Sequence, residues 1–400
     1  MGLVELDLDL GEEERGILDA VRKFASEVMR PVGVQLDRMA DPADVIAPAS
    51  PLWEAYRRYR ELGIDEVRGP DSALEPARRA RLGAMISEEL GWGDAGLAIS
   101  FGVAGFPRMM ASFTGNPALL ERFGGADVVG CWAITEPDHG SDMIDFENKL
   151  GSGTAARPNC IARKDGDAFV ITGQKAAWVS NGTIATAAAL FCAVDMGGGK
   201  TGSGVFLAPL DEKGVSRGRP LDKIGQRALN QGEIFFDGLR IPASYMVLGP
   251  ELYAVAADRV LCMANGGMGS CFVGLARAAL EHAIAYAKER VQGGLPIVRH
   301  QSVKARLFEM FRKVEAARSL NRRVVVHNTV SPNPQIQYAI ASKVTSTNTA
   351  FEVASGAVQI YGGNGLAREY PVEKLLRDAR ASMIEDGCND LLSLVGAERL

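Results

Sequence analysis

The sequence has no block of lysine and arginine. Its 44 basic residues are spread among 49 acidic ones, for a formal net charge of −5. There is thus no electropositive stripe to follow a phosphate backbone, and nucleic acid is not expected as a partner. Cysteine is sparse as well. The six cysteines, at 131, 160, 192, 262, 271 and 388, form no CxxC pair and stand in no spacing with histidine that would hold zinc. A metal site is not expected, and a reducing, cytoplasmic compartment fits. The first residues, MGLVELDLDLGEEERG, lack the basic start and apolar core of a signal peptide. Long apolar runs are also missing. The longest, IATAAALFCAV at 184–194, is about half of what a bilayer crossing needs, so a soluble protein without membrane spans is expected.

What is present is enough for two or three domains, at 400 residues and 47% hydrophobic content. Residues 11–128 carry apolar residues at three and four spacing, as in EERGILDAVRKFASEVM, and predict helices. The proline-rich stretch 39–52 interrupts them as a connection. From about 129 to 247 the pattern changes to short β-type runs, GCWAIT, DAFVITG, AALFCAVD, SGVFLAPL and GEIFFDGLRIP, separated by Gly, Asp and Asn. After Pro250 helical spacing returns in long amphipathic segments with short connections, the pattern of a bundle. The expected division is an α-helical domain over 1–128, a β domain over 129–247 and an α-helical bundle over 248–400, an α+β chain.

Two glycine-rich stretches resemble nucleotide loops and fail on context. MGGGKTGSG at 196–204 would need glycine where Val194 stands, and no helix pattern follows it, so it reads as a hairpin loop. YGGNG at 361–365 follows a helix rather than a strand, which removes a dinucleotide-fold reading. Taken alone it suits a glycine turn that ends a helix.

Its neighbours widen the reading. QIYGGNGLAREYPVEKLLRDAR (359–380) resembles the C-terminal signature of the acyl-CoA dehydrogenase family. CWAITEPDHGSD (131–142), ITGQKAAWVSNG (171–182) and DKIGQRALNQGEIFFDGLRIP (222–242) are similar to its β-domain blocks, in the same order and spacing. The resemblance implies an N-terminal helical domain, a middle β-barrel or sandwich domain and a C-terminal four-helix bundle, with FAD bound without a covalent link. A flavin so held needs a flat apolar wall, donors for its ring and glycine where backbone approaches closely. By position, Trp132, Ile134 and Thr135 would line one side of the ring, Gly140 and Ser141 would approach the diphosphate or pantetheine, and Trp178 with Ser180 would close the other side. Cys388 would join the cofactor site. Arg290, Gln301, Gln359, Gly362 and Gly363 would hold the adenine end of a neighbouring subunit's cofactor, which implies a homotetramer. Read without the family, Trp178 could be a core tryptophan and Arg290 an ordinary cation ending a helix.

The family's chemistry removes the α-proton of an acyl thioester while the β-hydride goes to flavin N5, commonly passing electrons on to an electron-transferring flavoprotein. The base is usually the glutamate of a Y-E-G-T turn. In SMIEDGCND (382–390) the same alignment puts Asp386 in the base position, Glu385 in place of the tyrosine, Cys388 in place of the threonine, and Asp390 where glutamine is common. Glu385 is expected to point away. Read without the family, all three acids could be solvated at a helix terminus. Two departures stand out. Gly293 replaces an aromatic residue in RVQGG, and Asn265 stands where many members have an arginine that seats the CoA thioester, with Asp258 and Arg259 as possible substitutes. These leave three functions open: an acyl-CoA dehydrogenase; a related flavoenzyme acting on a carrier-bound acyl group or a non-CoA substrate, as nitroalkane oxidases do; and a flavin-binding partner subunit without turnover.

Overall fold

The structure is a computed structural model that describes residues 4–7, 9–69, 72–145 and 158–400. It opens with α1 (Glu12–Phe24), which runs through a π-helical segment, Ala25–Met29, into α2 (Arg30–Arg38). There follow α3 (Pro42–Val45), α4 (Pro51–Glu61), α5 (Ile64–Arg68), α6 (Pro76–Gly93), α7 (Ala95–Ala104), α8 (Phe106–Thr114) and α9 (Pro117–Phe123). The prolines of 39–52 are helix starts as much as interruptions. Pro42 and Pro51 sit in the first turns of α3 and α4, where a missing N–H costs nothing, and Asp41 and Ser50 cap the amides of Ala43 and Leu52. Val21, Phe24, Leu36, Leu52, Tyr56, Tyr59, Leu82 and Phe101 form the core of this part.

The central strands are β1 (Gly130–Ala133), β2 (Ile161–Asp165), β3 (Ala168–Lys175), β4 (Ala187–Asp195), β5 (Thr201–Pro209), β6 (Val215–Arg217), β7 (Ile234–Pro242) and β8 (Met246–Leu248). They make one sheet in the order β6-β7-β3-β2-β4-β5-β8, with β1 parallel to β4. Both faces of β4 are covered. Ala188, Leu190, Cys192 and Val194 face the sheet's own core, while Ala187, Ala189 and Phe191 pack on Met110 of α8 and Leu119 and Phe123 of α9. That double burial is why IATAAALFCAV is continuously apolar instead of alternating. The glycine-rich stretch after β4 is the expected hairpin: β4 pairs antiparallel with β5, and Met196 and Lys200 close the loop.

The last part holds α10 (Tyr253–Glu289), α11 (Gln301–Val330), α12 (Ile336–Tyr361), α13 (Val372–Ser382) and α14 (Asn389–Ala397). Leu275, Leu280, Met310, Val314, Val353, Ala357 and Val372 interlock α10 to α13 in one apolar core. Between α10 and α11 lies a small hairpin, β9 (Val291–Gln292) with β10 (Leu295–Pro296). Its two-residue turn is Gly293–Gly294, with φ of 62° and 81°. Both positions need left-handed backbone, which explains glycine where the family carries an aromatic.

Candidate active site

Three acids follow α13 within nine residues, and the turn between α13 and α14 sends each in a different direction. Asp386 has a φ of 50°, left-handed backbone that aspartate tolerates better than most residues. Contacts from three elements hold it. The amide of Cys388 donates to Ser141 Oγ of the β domain at 3.0 Å; Lys343 Nζ of α12 donates to the carbonyl of Gly387 at 2.9 Å and to Asn389 Oδ1 at 2.8 Å; and Asn265 Nδ2 of α10 lies 3.5 Å from the carbonyl of Asp386.

Asp386 lines a cavity of about 400 Å³ between α6, α7, α10 and α11. Its walls are mostly apolar, with Ala84, Leu90, Ile99, Val103, Met263 and Met268 among them. Desolvation there raises the Asp386 pKa, and the Lys343 ammonium offsets part of the rise. Glu385 turns the other way and accepts a 2.8 Å hydrogen bond from Gln226 Nε2. Burial pushes its carboxyl up to about 7, against the Gln226 hydrogen bond and the Lys223 charge. Asp390 is exposed in the first turn of α14. Of the three acids, Asp386 alone lines the cavity.

Gln226 belongs to a block read as strand-closing sequence, and its contact with Glu385 was not legible there. A Cβ on Gly225 would lie 2.4 Å from the carbonyl of Arg377, so only glycine lets this loop press on α13. The amide of Gln226 then donates to Asp378 Oδ1 at 2.5 Å.

In the β domain, the TEP and GQK blocks are joined by a fully buried ion pair, Lys175 to Glu136 at 2.6 Å, and Lys175 also donates to the carbonyl of Ile134 at 3.0 Å. Neither residue was a sequence candidate, yet together they fix the strand end carrying Trp132, Ile134 and Thr135. Trp132 packs edge-on against Phe106 at 5.1 Å, and its Nε1 is buried without a partner. Trp178 is 60% exposed and therefore no core tryptophan, while the backbone of Ser180 bridges to Gln231. A bare indole, an orphaned indole N–H and Gly140, where an added Cβ would meet nothing within 4 Å, fit a flat cofactor that has a hydrogen-bonding edge and needs close backbone approach.

The remaining candidates gather elsewhere. Arg290, Gln301, Gln359, Gly362 and Gly363 are all exposed, where the ends of α10 and α12 meet the start of α11. Tyr286 and Tyr361 stack there at 3.9 Å, and Asn364 donates to the Tyr286 hydroxyl at 2.9 Å. Asn265, beside the base turn, and Arg290 are separated by about 38 Å of α10. Neither substitute for the missing arginine reaches the cavity: Arg259 is exposed and donates to the carbonyl of Pro332, and Asp258 pairs with Arg399. Among the described residues no cluster could hold a metal ion, and no helix is long and apolar enough to cross a membrane.

A carboxylate in a largely apolar cavity, together with an exposed tryptophan on the β domain, suits a flavin-dependent oxidoreductase. The acyl-CoA dehydrogenase middle-domain profile matches residues 131–239, and the profile of the C-terminal domain of the same family matches 255–400. The chain is 28% identical over 398 residues to the human mitochondrial short-chain specific acyl-CoA dehydrogenase, covering 98% of this chain and 91% of that one. It is 28% identical over 414 residues to cyclohex-1-ene-1-carbonyl-CoA dehydrogenase of Geobacter metallireducens, covering 98% of each. The structure of butyryl-CoA dehydrogenase from Megasphaera elsdenii superposes with a TM-score of 0.83 at 25% identity, covering 98% of this chain and 99% of that one. The chain belongs to the acyl-CoA dehydrogenase family, with FAD as cofactor, and is an oxidoreductase acting on acyl-CoA.

Proposed function

We propose that Asp386 removes the α-proton of an acyl-CoA thioester whose tail lies in the cavity, as a hydride leaves the β-carbon and the two carbons become a trans double bond. The observation that carries this reading is that Asp386, alone of the three acids, lines the cavity. Bound FAD supplies the two-electron acceptor. Trp132, Ile134, Thr135, Trp178 and Ser180 would hold its ring, Gly140, Ser141 and Cys388 would lie nearby, and Arg290, Gln301, Gln359, Gly362 and Gly363 would hold the adenine end for a neighbouring copy. The apolar walls exclude water, so Asp386 is a stronger base than a solvated aspartate and its proton transfer is better matched to a weakly acidic carbon. Lys343, Ser141 and Asn265 keep the turn in one conformation while that proton moves. The reading extends to a homotetramer in the cytoplasm that passes electrons to an electron-transferring flavoprotein.

Asp386→Asn keeps the shape and deletes the base. Anaerobic flavin reduction by acyl-CoA should slow by about 10²–10⁴-fold, the usual range for a positioned general base, with FAD content unchanged. Glu385→Gln, on the Gln226 side, should cost far less. If the two effects were exchanged in stopped-flow absorbance, Glu385 would be the base.

A further inference from the structure

The cavity that holds Asp386 is not apolar throughout. Arg68, at the end of α5, lies in its wall. One nitrogen of its guanidinium, Nη2, donates to Ser87 Oγ at 2.9 Å and to the carbonyl of Gly83 at 3.2 Å. Its Nε is buried with no partner, and Nη1 makes no hydrogen bond among the described residues. No ion pair reaches it there either, whereas the neighbouring Arg78 and Arg81 are paired with Glu14 and Asp9. The other arginine of the wall, Arg79, has a partner of its own. Arg68 is half-buried, and of its guanidinium donors the described residues engage only Nη2. An anion within the cavity would find there a charge-assisted donor that the described residues leave unused.

The position in the cavity suits the end of an acyl chain rather than its thioester. Arg68 is held on α6 through Gly83 and Ser87, whereas the Asp386 turn is held on α10 and α12 through Asn265 and Lys343, so the two enter the cavity from different helices. The residues of α10 in the wall run from Cys262 to Cys271, about 14 Å of helix. Room for a tail is left by Gly102 and Gly267, both in the wall, where a Cβ would meet nothing within 4 Å. The other polar groups of the wall are already used: Asn328 bonds the backbone of Gln335, and Thr329 donates to the carbonyl of Val325.

Resting on the function proposed above, we infer that Arg68 is a specificity-determining residue which receives a carboxylate at the far end of the acyl chain, so that the substrate class is ω-carboxyacyl-CoA. A monothioester of a dicarboxylic acid would place its α-carbon at Asp386 and its distal carboxylate against Nη1 of the Arg68 guanidinium. A methyl-ended chain of equal length would leave that cation unpaired.

The test uses the FAD-loaded wild-type enzyme, Arg68→Met and Arg68→Lys, each with paired straight-chain acyl-CoA esters of equal length ending in methyl or in carboxylate. Wild type should favour the carboxylate-ended ester in kcat/KM. In Arg68→Met that preference should fall by about 10- to 100-fold, the worth of one hydrogen bond to a charged group. The loss should appear in KM more than in kcat, and Arg68→Lys should restore part of it. Should Arg68→Met fail to retain FAD, the wild-type panel and Arg68→Lys still decide. A wild type that is indifferent or prefers methyl-ended esters overturns the inference while the dehydrogenase reading stands. So does a preference that survives intact in Arg68→Met. If no acyl-CoA ester of either kind bleaches the flavin, the dehydrogenase reading itself falls and takes this one with it.

Discussion

Lys343 shows how one buried side chain can set both the shape and the charge of the base turn. Desolvation lowers its pKa to about 8, so it remains mostly protonated at neutral pH, with the turn carbonyl of Gly387 and Asn389 Oδ1 as acceptors. Its charge favours ionised Asp386, opposing the rise that burial imposes. Flavin reduction needs the ionised base, so its rate should climb with pH through the Asp386 pKa. Lys343→Met removes the cation, raises that pKa further and should move the climb to higher pH. Lys343→Arg should keep it near the wild-type position. Stopped-flow rates of anaerobic reduction across pH check this, and a climb that stays put or moves down in Lys343→Met would show that Lys343 acts on shape alone. In sequence Lys343 is a lone cation in AIASKVTSTNTA, among small residues. Only the turn of another segment, packed on that face, gives it a task.

At the scale of elements, Glu88 ties three helices together. On α6, it meets Arg277 of α10 at 2.7 Å and Arg318 and Arg322 of α11 at 2.8 and 3.0 Å. Burial alone would raise its pKa; the three guanidiniums outweigh it and hold the carboxyl at about 2. A depressed carboxyl contributes stability above its ordinary pKa and loses it as pH falls from there toward about 2. Glu88→Ala leaves buried guanidiniums short of a partner and should cost about 3–5 kcal/mol. Urea unfolding at neutral pH measures that cost, and the difference between variant and wild type should shrink as pH approaches 2. Equal stabilities at neutral pH would mean that the remaining acids rebalance the network. The same three helices wall the cavity.

At the scale of the whole molecule, the function proposed above places the two halves of the cofactor site on different copies of the chain. About 38 Å of α10 lie between Asn265 at the base turn and Arg290. On that reading, a cofactor whose ring lies near the Asp386 turn would meet Arg290 of a second copy. Arg290→Ala removes a charge-assisted contact worth about 1.5–3 kcal/mol and should weaken FAD retention without altering the fold. Absorbance after gel filtration, together with analytical ultracentrifugation, checks this. A monomer that keeps its full FAD would refute the shared site.

Much was determined by the sequence itself. Helical and strand periodicities placed the three regions, because burial on one face writes a period into neighbouring residues. The four signature blocks identified the family and pointed to Asp386 as the candidate base, because glycine turns and the R-D-A segment keep a fixed local spacing. The GGGK stretch was legible as a hairpin by the same local logic. Short edge strands such as β6 and β8 were not, since three residues carry too little pattern, and the Gly293–Gly294 hairpin was hidden by its length. Tertiary structure decided the rest. That Glu385 faces Gln226, that Lys343 and Ser141 clasp the base turn, that Lys175 pairs with Glu136 and that Arg68 enters the cavity are contacts between segments about 40 to 250 residues apart, or between elements whose helical phase is set by packing. Periodicity records which face of an element is buried; it does not record which partner covers it.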